Sequence, residues 1–170
     1  VVIKPAHLGS SIGITLARNE EEAKLGIESA FCIDNRVVIE RYLENKKDVN
    51  CAAYSLQGKI ILSEPELAFG EGIYSFEDKY LRRSNDHGTP ISSKEGGRYA
   101  VSGELREKIR AYTRTVYKRM NLQGAVRMDF LISEGKAYLC EVNTVPGSLA
   151  YYLFCDRITD ARQFIVRAMQ

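Results

Sequence analysis

Hydrophobic and polar positions follow two different periods along this chain. Alternating or short continuous apolar runs predict strands over residues 1–4, 14–17, 37–43, 48–56, 59–66, 124–132 and 137–142. Apolar residues three and four positions apart predict helices over 19–32, from 102 to about 120, and from 160 to the end. This order of elements predicts an α+β fold, in which an antiparallel sheet carries flanking helices.

The predicted helices have start signals and apolar stripes. Asn19 followed by Glu22 resembles a capping box, and Asp160 with Gln163 opens the last helix in the same way. The stripes are Ala23, Ile27 and Phe31 on the first helix, and Leu105, Ile109, Tyr112, Val116 and Met120 on the second. Stripes of this kind pack against a core.

The beginning of the chain and one long loop are unusual. Val1 starts in the middle of an apolar strand pattern, so we expect the chain to be a fragment of a longer protein. Residues 69–97 combine five glycines with many charges and show no sustained period. A loop of that length inside a compact domain is usually functional, which predicts an active-site cover.

Composition removes several classes of function. The 24 basic and 22 acidic residues nearly cancel and are spread along the 170 residues, so no nucleic-acid partner is expected. No apolar run approaches the roughly 20 residues of a membrane span, and we expect a cytoplasmic protein that does not enter a membrane. Two distant histidines and four scattered cysteines provide neither a zinc site nor a catalytic triad, and the cysteines are predicted to be reduced core thiols.

Acidic and amide residues fall on two predicted strands joined by a turn. Because side chains alternate between faces, each strand presents one polar set. The sets are Arg127, Asp129 and Leu131 on the first strand, and Glu141 and Asn143 on the second. If the two faces coincide, their oxygens suit Mg²⁺, and Glu141 would bridge two ions. The alternative is an ordinary amphipathic hairpin with a polar outer face.

The metal interpretation depends on strand register. A two-residue turn at Glu134 and Gly135 would pair Asp129 with Cys140 and send Asp129 and Glu141 to opposite faces. A shared face therefore requires an odd-length loop or a β-bulge, which we predict.

Two further segments suggest nucleotide binding. Lys4 and Pro5 precede the loop Gly9–Gly13, where glycine N–H groups and serine hydroxyls could cradle phosphates, although plain turn chemistry is the alternative. The loop is not a Walker motif, because a strand follows it. The apolar strand ending in Glu40 could present adenine-binding groups, and an edge strand with a solvated Glu40 is the alternative.

These three segments occur in the order and spacing of the ATP-grasp family, and they resemble its D-alanine:D-alanine ligase branch over nearly the whole chain. The resemblance implies an ATP-grasp fold whose small lobe is residues 1–45 and whose large lobe is 46–170. It also implies a preceding N-terminal domain, absent from this chain, that carries a residue for the first amino acid and a further lysine for the nucleotide. The fragment alone is expected to be inactive.

The resemblance implies a role for each matching residue. The nucleotide would be bound by Lys4, by the phosphate lid Gly9, Ser10, Ser11 and Gly13, by Glu40, Tyr42, Leu43 and Asp48 at adenosine, and by an adenine slot of Leu131, Leu139 and Cys140. Two Mg²⁺ ions, or Mn²⁺, would be held by Asp129, Glu141 and Asn143. Catalytic groups would be Arg127 and the Gly147 N–H at the tetrahedral centre, Lys79 at the γ-phosphate, and Tyr80 with Ser10 closing the substrate site.

The implied activity is ATP-dependent ligation of two D-amino acids through an acyl phosphate, for peptidoglycan precursors, by a full-length homodimer. One departure concerns the second substrate. The family places small polar residues after Pro146 and Gly147, including a serine that binds the second carboxylate, whereas Tyr151 and Tyr152 occur here. Two alternatives stay open: another ATP-grasp carboxylate:amine ligase, or a nucleotide-binding module without activity.

Overall fold

The computed structural model describes residues 1–9, 11–68, 101, 103–155 and 157–168. In these ranges the chain forms two compact units, one within Val1–Glu44 and one from Asn45 onward. Their assignment to the two lobes of the family fold, 1–45 and 46–170, stays a prediction.

The first unit is a three-stranded antiparallel sheet covered by one helix. Its elements are β1 (Val2–Pro5), β2 (Thr15–Leu16), α1 (Glu20–Phe31) and β3 (Val37–Glu40), with the strand order β2-β1-β3. The predicted hairpin is confirmed, since Val2 lies opposite Leu16. The predicted start of α1 is confirmed as well, because the Asn19 side chain accepts from the backbone N–H of Glu22 at 2.8 Å.

The second unit is a larger antiparallel sheet. Its elements are β4 (Lys47–Leu56), β5 (Lys59–Leu62), β6 (Glu66–Leu67), α2 (Gly103–Arg119), β7 (Val126–Ser133), β8 (Lys136–Asn143), 3-10 turns at Gly147–Leu153 and Ile158–Asp160, and α3 (Ala161–Ala168). The strand order is β5-β4-β7-β8, and β6 also pairs with β4. Ile109 and Tyr117 of α2 pack with Met128 and Phe130 of β7 in one core cluster. The opposite face of β7 is thereby left for the polar residues.

The prediction of one continuous strand over residues 59–66 is wrong. Pairing with β4 breaks between Leu62 and Glu66, where Ser63 turns inward and its hydroxyl accepts from the Ala52 N–H at 2.9 Å. Pro65 has no N–H to give to a ladder. The strand therefore divides into β5 and β6.

The side chains that face the core differ partly from the predicted stripes. Phe31 is 55% exposed and Met120 is 56% exposed, whereas Ala30 and Thr113 are buried. The buried face of α2 tolerates Thr113 because its hydroxyl donates to the Ile109 carbonyl at 2.9 Å.

The four cysteines differ in burial. Cys51 is buried as predicted, but Cys32 and Cys140 are exposed, so the prediction of core thiols is wrong for these two. Across the described residues, no helix is both long enough and apolar enough to span a bilayer.

Candidate functional site

A β-bulge in the β7–β8 hairpin brings the predicted metal residues together. The turn at Glu134 and Gly135 has two residues, both with positive φ (50° and 71°), and it pairs Ser133 with Lys136. The register then shifts between Asp129 and Phe130, so that Asp129 lies opposite Glu141 instead of Cys140. The predicted bulge is confirmed. Without it, a two-residue turn would have placed the two carboxylates on opposite faces.

Arg127 and Asp129 form a bidentate ion pair on this face. The Arg127 Nε and Nη2 atoms donate to the two Asp129 carboxylate oxygens at 2.7 and 2.8 Å. Asn143 Nδ2 donates to Oδ2 of the same carboxylate at 3.0 Å. Burial alone would lower the pKa of the Arg127 guanidinium, but the hydrogen bonds and the charge of Asp129 outweigh it and raise this pKa. Arg127 is therefore a permanent cation at the site.

Strand β4 adds a third row to the same face. Asp48 lies opposite Leu131, Asn50 opposite Asp129, and Ala52 opposite Arg127. Directly opposed residues of an antiparallel pair share a face, so Asn50 flanks Asp129 on one side as Glu141 does on the other. The sequence analysis missed Asn50. Its alternation with buried Val49 and Cys51 was the available signal.

The predicted adenine slot is brought together only in part. Leu131 lies opposite Tyr138 on the polar face, whereas Leu139 lies opposite the buried Phe130 and so belongs to the other face. Cys140 is the extra residue of the bulge and is exposed. Leu131 and Cys140 remain predicted members of the slot. The register argues against Leu139 as a third.

A left-handed turn follows the β7–β8 hairpin. Gly147 opens the segment Gly147–Leu153, in which Ser148, Leu149 and Ala150 all have φ between 51° and 53°. Three successive residues with side chains rarely adopt this conformation. Tyr152, at the end of the turn, accepts a hydrogen bond from Arg127 Nη1 at 3.1 Å.

In the first unit, Lys4 and Glu40 form an ion pair of 2.8 Å, with side chains 25% and 41% exposed. Both residues are predicted nucleotide ligands, and the pairing of β1 with β3 brings them together. An open cleft of about 640 Å³ in this unit is lined in part by Ile39, Glu40 and Tyr42. Leu43 is half-buried just beyond the end of β3.

The loop that follows β1 is tied to the turn after α1. Asp34 accepts from the His7 backbone N–H at 2.7 Å and from the Arg36 N–H at 3.1 Å, and its carboxylate lies 2.9 Å from His7 Nδ1. The hydrogen bond with the His7 side chain is the largest influence that holds the pKa of the Asp34 carboxyl well below its ordinary range. The sequence analysis missed this contact. The only local signal was an acid at a turn.

The loop has irregular backbone at Ser11 and Gly13, whose φ values are 63° and 71°. A Cβ at Gly13 would lie 2.5 Å from Ile33 Cδ1 and 2.9 Å from Pro5 Cγ. Gly9 is exposed and its carbonyl accepts from the Ile12 N–H at 3.1 Å. Three predicted site residues, Ser10, Lys79 and Tyr80, lie outside the described residues, as does the predicted cover at 69–97.

The donor set on the polar face fits magnesium. In the described ranges no group of three or more His, Cys, Asp or Glu side chains could hold a metal. The hairpin instead offers two carboxylates, at Asp129 and Glu141, and one amide, at Asn143. Mg²⁺ is commonly bound through one or two carboxylates together with substrate phosphates and water. The Asp129 carboxylate already binds a cation in the form of the Arg127 guanidinium.

Comparison with known proteins places the chain in a family. The family model described as D-ala D-ala ligase C-terminus matches residues 1–161. The chain belongs to this ligase family. It is 36% identical to the D-alanine--D-alanine ligase of Sulfurimonas denitrificans over 92% of its length, and this match covers 43% of that protein.

Solved structures agree with this membership. The chain is similar to D-Ala-D-Ala ligase from Helicobacter pylori (TM-score 0.73, 27% identity), over 99% of this chain and 48% of that one. It is also similar to D-alanyl-alanine synthetase A from Vibrio cholerae (TM-score 0.70, 25% identity), over 99% of this chain and 51% of that one. The predicted ATP-grasp fold is confirmed. The chain spans about half or less of these relatives.

Proposed function

We propose that the full-length protein is an ATP-dependent D-alanine:D-alanine ligase. The observation that carries the proposal is the bulge that sets Asp129 opposite Glu141, beside Arg127 and Asn143, in a chain of this ligase family. ATP-grasp ligases use ATP and Mg²⁺. The product would be a dipeptide for peptidoglycan precursors, made in the cytoplasm from small amino-acid substrates by a homodimeric enzyme.

Each unit carries predicted nucleotide ligands. In the first unit, Lys4 and the loop Gly9–Gly13 would contact phosphates, while Glu40, Tyr42 and Leu43 would contact adenosine. The Lys4–Glu40 ion pair supports this assignment, because it holds the ammonium and the carboxylate in fixed positions on one sheet. In the second unit, Asp48, Leu131 and Cys140 would contact the nucleotide.

Magnesium would be bound by Asp129, Glu141 and Asn143, with two ions bridged by Glu141 as the expected stoichiometry and Mn²⁺ as a possible substitute. The ions would neutralise charge on the transferring phosphoryl group. Arg127 donates one hydrogen bond to each oxygen of Asp129 in this structure. Because each carboxylate oxygen has a second lone pair, magnesium would share this carboxylate with the guanidinium.

The chemistry would proceed in two steps. A carboxylate oxygen of the first amino acid attacks the γ-phosphorus of ATP, which forms an acyl phosphate and releases ADP. The amine of the second amino acid attacks the acyl carbon, the C–O bond breaks, and phosphate leaves. Arg127 and the Gly147 N–H would stabilise the tetrahedral oxyanion between attack and departure. Lys79 would act on the γ-phosphate, and Tyr80 with Ser10 would close the site.

The chain departs from the family in the segment where the second substrate would bind. Tyr152 occupies the stretch where the family has small polar residues, and its hydroxyl is engaged with Arg127. This observation favours testing a second candidate function, ligation of D-alanine to a different acceptor, alongside the first.

A phosphate-release screen of the full-length protein tests both candidates. Mg-ATP and D-alanine are supplied with D-alanine, D-serine or D-lactate as the acceptor, and the product is identified by mass. We expect release with D-alanine alone as both substrates. Release only with another acceptor would support the second candidate. Nucleotide binding without release for any acceptor would contradict both and leave a binding module.

A further inference from the structure

The guanidinium of Arg127 is held from two sides. Its Nε and Nη2 atoms donate to Asp129, and its Nη1 atom donates to the phenol oxygen of Tyr152 at 3.1 Å. The Arg127 side chain is 21% exposed, so a donor left without an acceptor here would lack full compensation from water. Tyr152 is the acceptor that does not depend on Asp129.

The phenol reaches Arg127 because of the left-handed turn. The turn is closed by the Leu149 N–H donating to the Pro146 carbonyl at 2.9 Å. Ala150 and Leu153 are buried against Ala52 of β4, with Tyr152 packed beside them. Residues held in a disfavoured backbone region persist where the surroundings over-determine them, and they concentrate at functional sites.

The neighbouring strand leaves room for this arrangement. Ala52 lies directly opposite Arg127, and its methyl group is the smallest side chain that keeps a Cβ there. A larger residue at position 52 would occupy the space into which Ala150 and Leu153 pack. Arg127 is therefore surrounded by three linked features: the left-handed turn, the small Ala52 side chain and the Tyr152 phenol.

We propose that Tyr152 is a positioning residue that fixes the guanidinium of Arg127 for the ligation reaction, and that the left-handed turn of Ser148–Ala150 serves to deliver its phenol. The proposal rests on the proposed function. The hydrogen bond to Tyr152 uses Nη1, which does not contact Asp129, so it would hold the guanidinium also where magnesium shares the Asp129 carboxylate. The phenol proton is not used in this contact, because the oxygen accepts.

The test compares Tyr152→Phe with Tyr151→Phe in the full-length protein. Both changes remove one phenol oxygen and keep the ring. Tyr151 is a matched control because it is the neighbouring residue and its ring contacts Tyr152 edge to face. It packs in a different core cluster, with Tyr54 and Phe164. Two quantities are measured: solvent exchange of the Arg127 side-chain N–H groups by NMR, with and without Mg²⁺, and steady-state kinetics.

In Tyr152→Phe we expect faster exchange at Arg127, most clearly with Mg²⁺ present. We also expect kcat to fall by about tenfold or more, as for loss of a hydrogen bond to a charged group, with KM for ATP changed by less than about twofold. Tyr151→Phe should leave both quantities near the wild-type values. The melting temperatures of the two variants should differ little.

Three results would overturn the proposal. Unchanged exchange at Arg127 would show that Tyr152 does not hold it. Faster exchange with unchanged kcat would show that the hold has no role in the reaction. A raised KM for the second substrate with unchanged kcat would make Tyr152 a substrate contact instead. If the wild-type protein shows no ligase activity, the proposed function fails, and the exchange measurement still decides whether Tyr152 fixes Arg127.

Discussion

The carboxylate of Asp129 is the group that Arg127 and the proposed magnesium ion would share. It binds the Arg127 guanidinium through both oxygens, and it also accepts from Asn143. Glu141, opposite Asp129 on β8, is exposed at this polar face. Under the proposed function, Glu141 is therefore the exposed carboxylate beside Asp129 that magnesium would bind. We expect metal binding to depend on this side chain most directly.

The Glu141→Gln change should abolish phosphate release and leave the fold nearly intact. Removal of an exposed carboxylate costs little packing, whereas a lost metal ligand removes charge stabilisation from the phosphoryl transfer. Phosphate release and thermal melting of the full-length protein measure the two effects.

Glu134→Gln, at the exposed turn of the same hairpin, is the matched control and should keep wild-type turnover. Turnover that survives in Glu141→Gln would remove this residue from the metal site.

At this scale, alternation along the strands predicted the polar face correctly for Arg127 and Asp129. Alternation did not predict which side chains pair. The Arg127–Asp129 ion pair depends on the rotamers of both side chains as well as on the strand face that they share. The contact with Tyr152 was beyond prediction as well, since the left-handed turn that produces it uses no glycine at Ser148–Ala150. Sequence rules for that conformation look for glycine.

The loop between β1 and β2 shows how an element is fixed from outside itself. Asp34 anchors the loop near its start through His7, and Gly13 at its other end packs against Ile33. Ile33 and Asp34 belong to one turn after α1. The loop is therefore fixed to the same turn at His7, before the predicted phosphate lid, and at Gly13, the last residue of that lid.

Gly13→Ala should destabilise the protein more than Gly58→Ala. Both glycines have positive φ, 71° and 75°, so both changes carry a backbone cost of roughly 1–2 kcal/mol. Only Gly13 adds a clash, with Ile33 and Pro5, which we expect to cost roughly 1–3 kcal/mol more. Chemical denaturation of the two variants measures the difference, and equal destabilisation would contradict the tight approach at Gly13.

The segment between β5 and β6 is tied to α2 by Glu64. Arg106 donates to both carboxylate oxygens of Glu64 at 2.6 and 2.7 Å, and Arg110 adds a contact at 3.0 Å. The hydrogen bond with Arg106 is the largest cause of the lowered pKa of Glu64. Glu64 is 42% exposed, so screening limits the contribution to about 0.5–1 kcal/mol.

This ion pair predicts a pH-dependent difference between wild type and Glu64→Gln. A carboxyl whose pKa is lowered in the folded state binds fewer protons there than in the unfolded state, so its stabilisation is complete above the ordinary value of 4.5 and is lost as pH falls through the folded value. The free energy of unfolding of the variant should therefore be lower at neutral pH and converge with that of the wild type as the pH falls below the lowered pKa of Glu64. A gap that stays constant over this range would exclude the ion pair as its cause.

Element types followed from the sequence more readily than their ends did. The α1 start was predictable because its cap uses residues three apart, Asn19 and Glu22. The division of β5 from β6 was not predicted, although Pro65 signals it, because the inward turn of Ser63 depends on the Ala52 N–H of another strand. The bulge at Cys140 was predictable only through the requirement that two carboxylates share a face.

At the scale of the whole molecule, we propose a ligase that activates a carboxylate as an acyl phosphate. The residues that support it are distributed over both units, with Lys4 and Glu40 in the first and Asp129, Glu141 and Arg127 in the second. No side-chain nucleophile is part of the proposed chemistry, so an oxygen atom must move directly from substrate to phosphate. This transfer distinguishes the proposed reaction from ATP hydrolysis by water.

The most direct measurement follows that oxygen atom. The full-length protein is supplied with Mg-ATP and with D-alanine whose carboxylate carries oxygen-18, and the released phosphate and the dipeptide are analysed by mass. For the acyl-phosphate mechanism, we expect phosphate that carries one labelled oxygen per dipeptide formed, and loss of both products in Glu141→Gln. Unlabelled phosphate, or phosphate released without dipeptide, would contradict it.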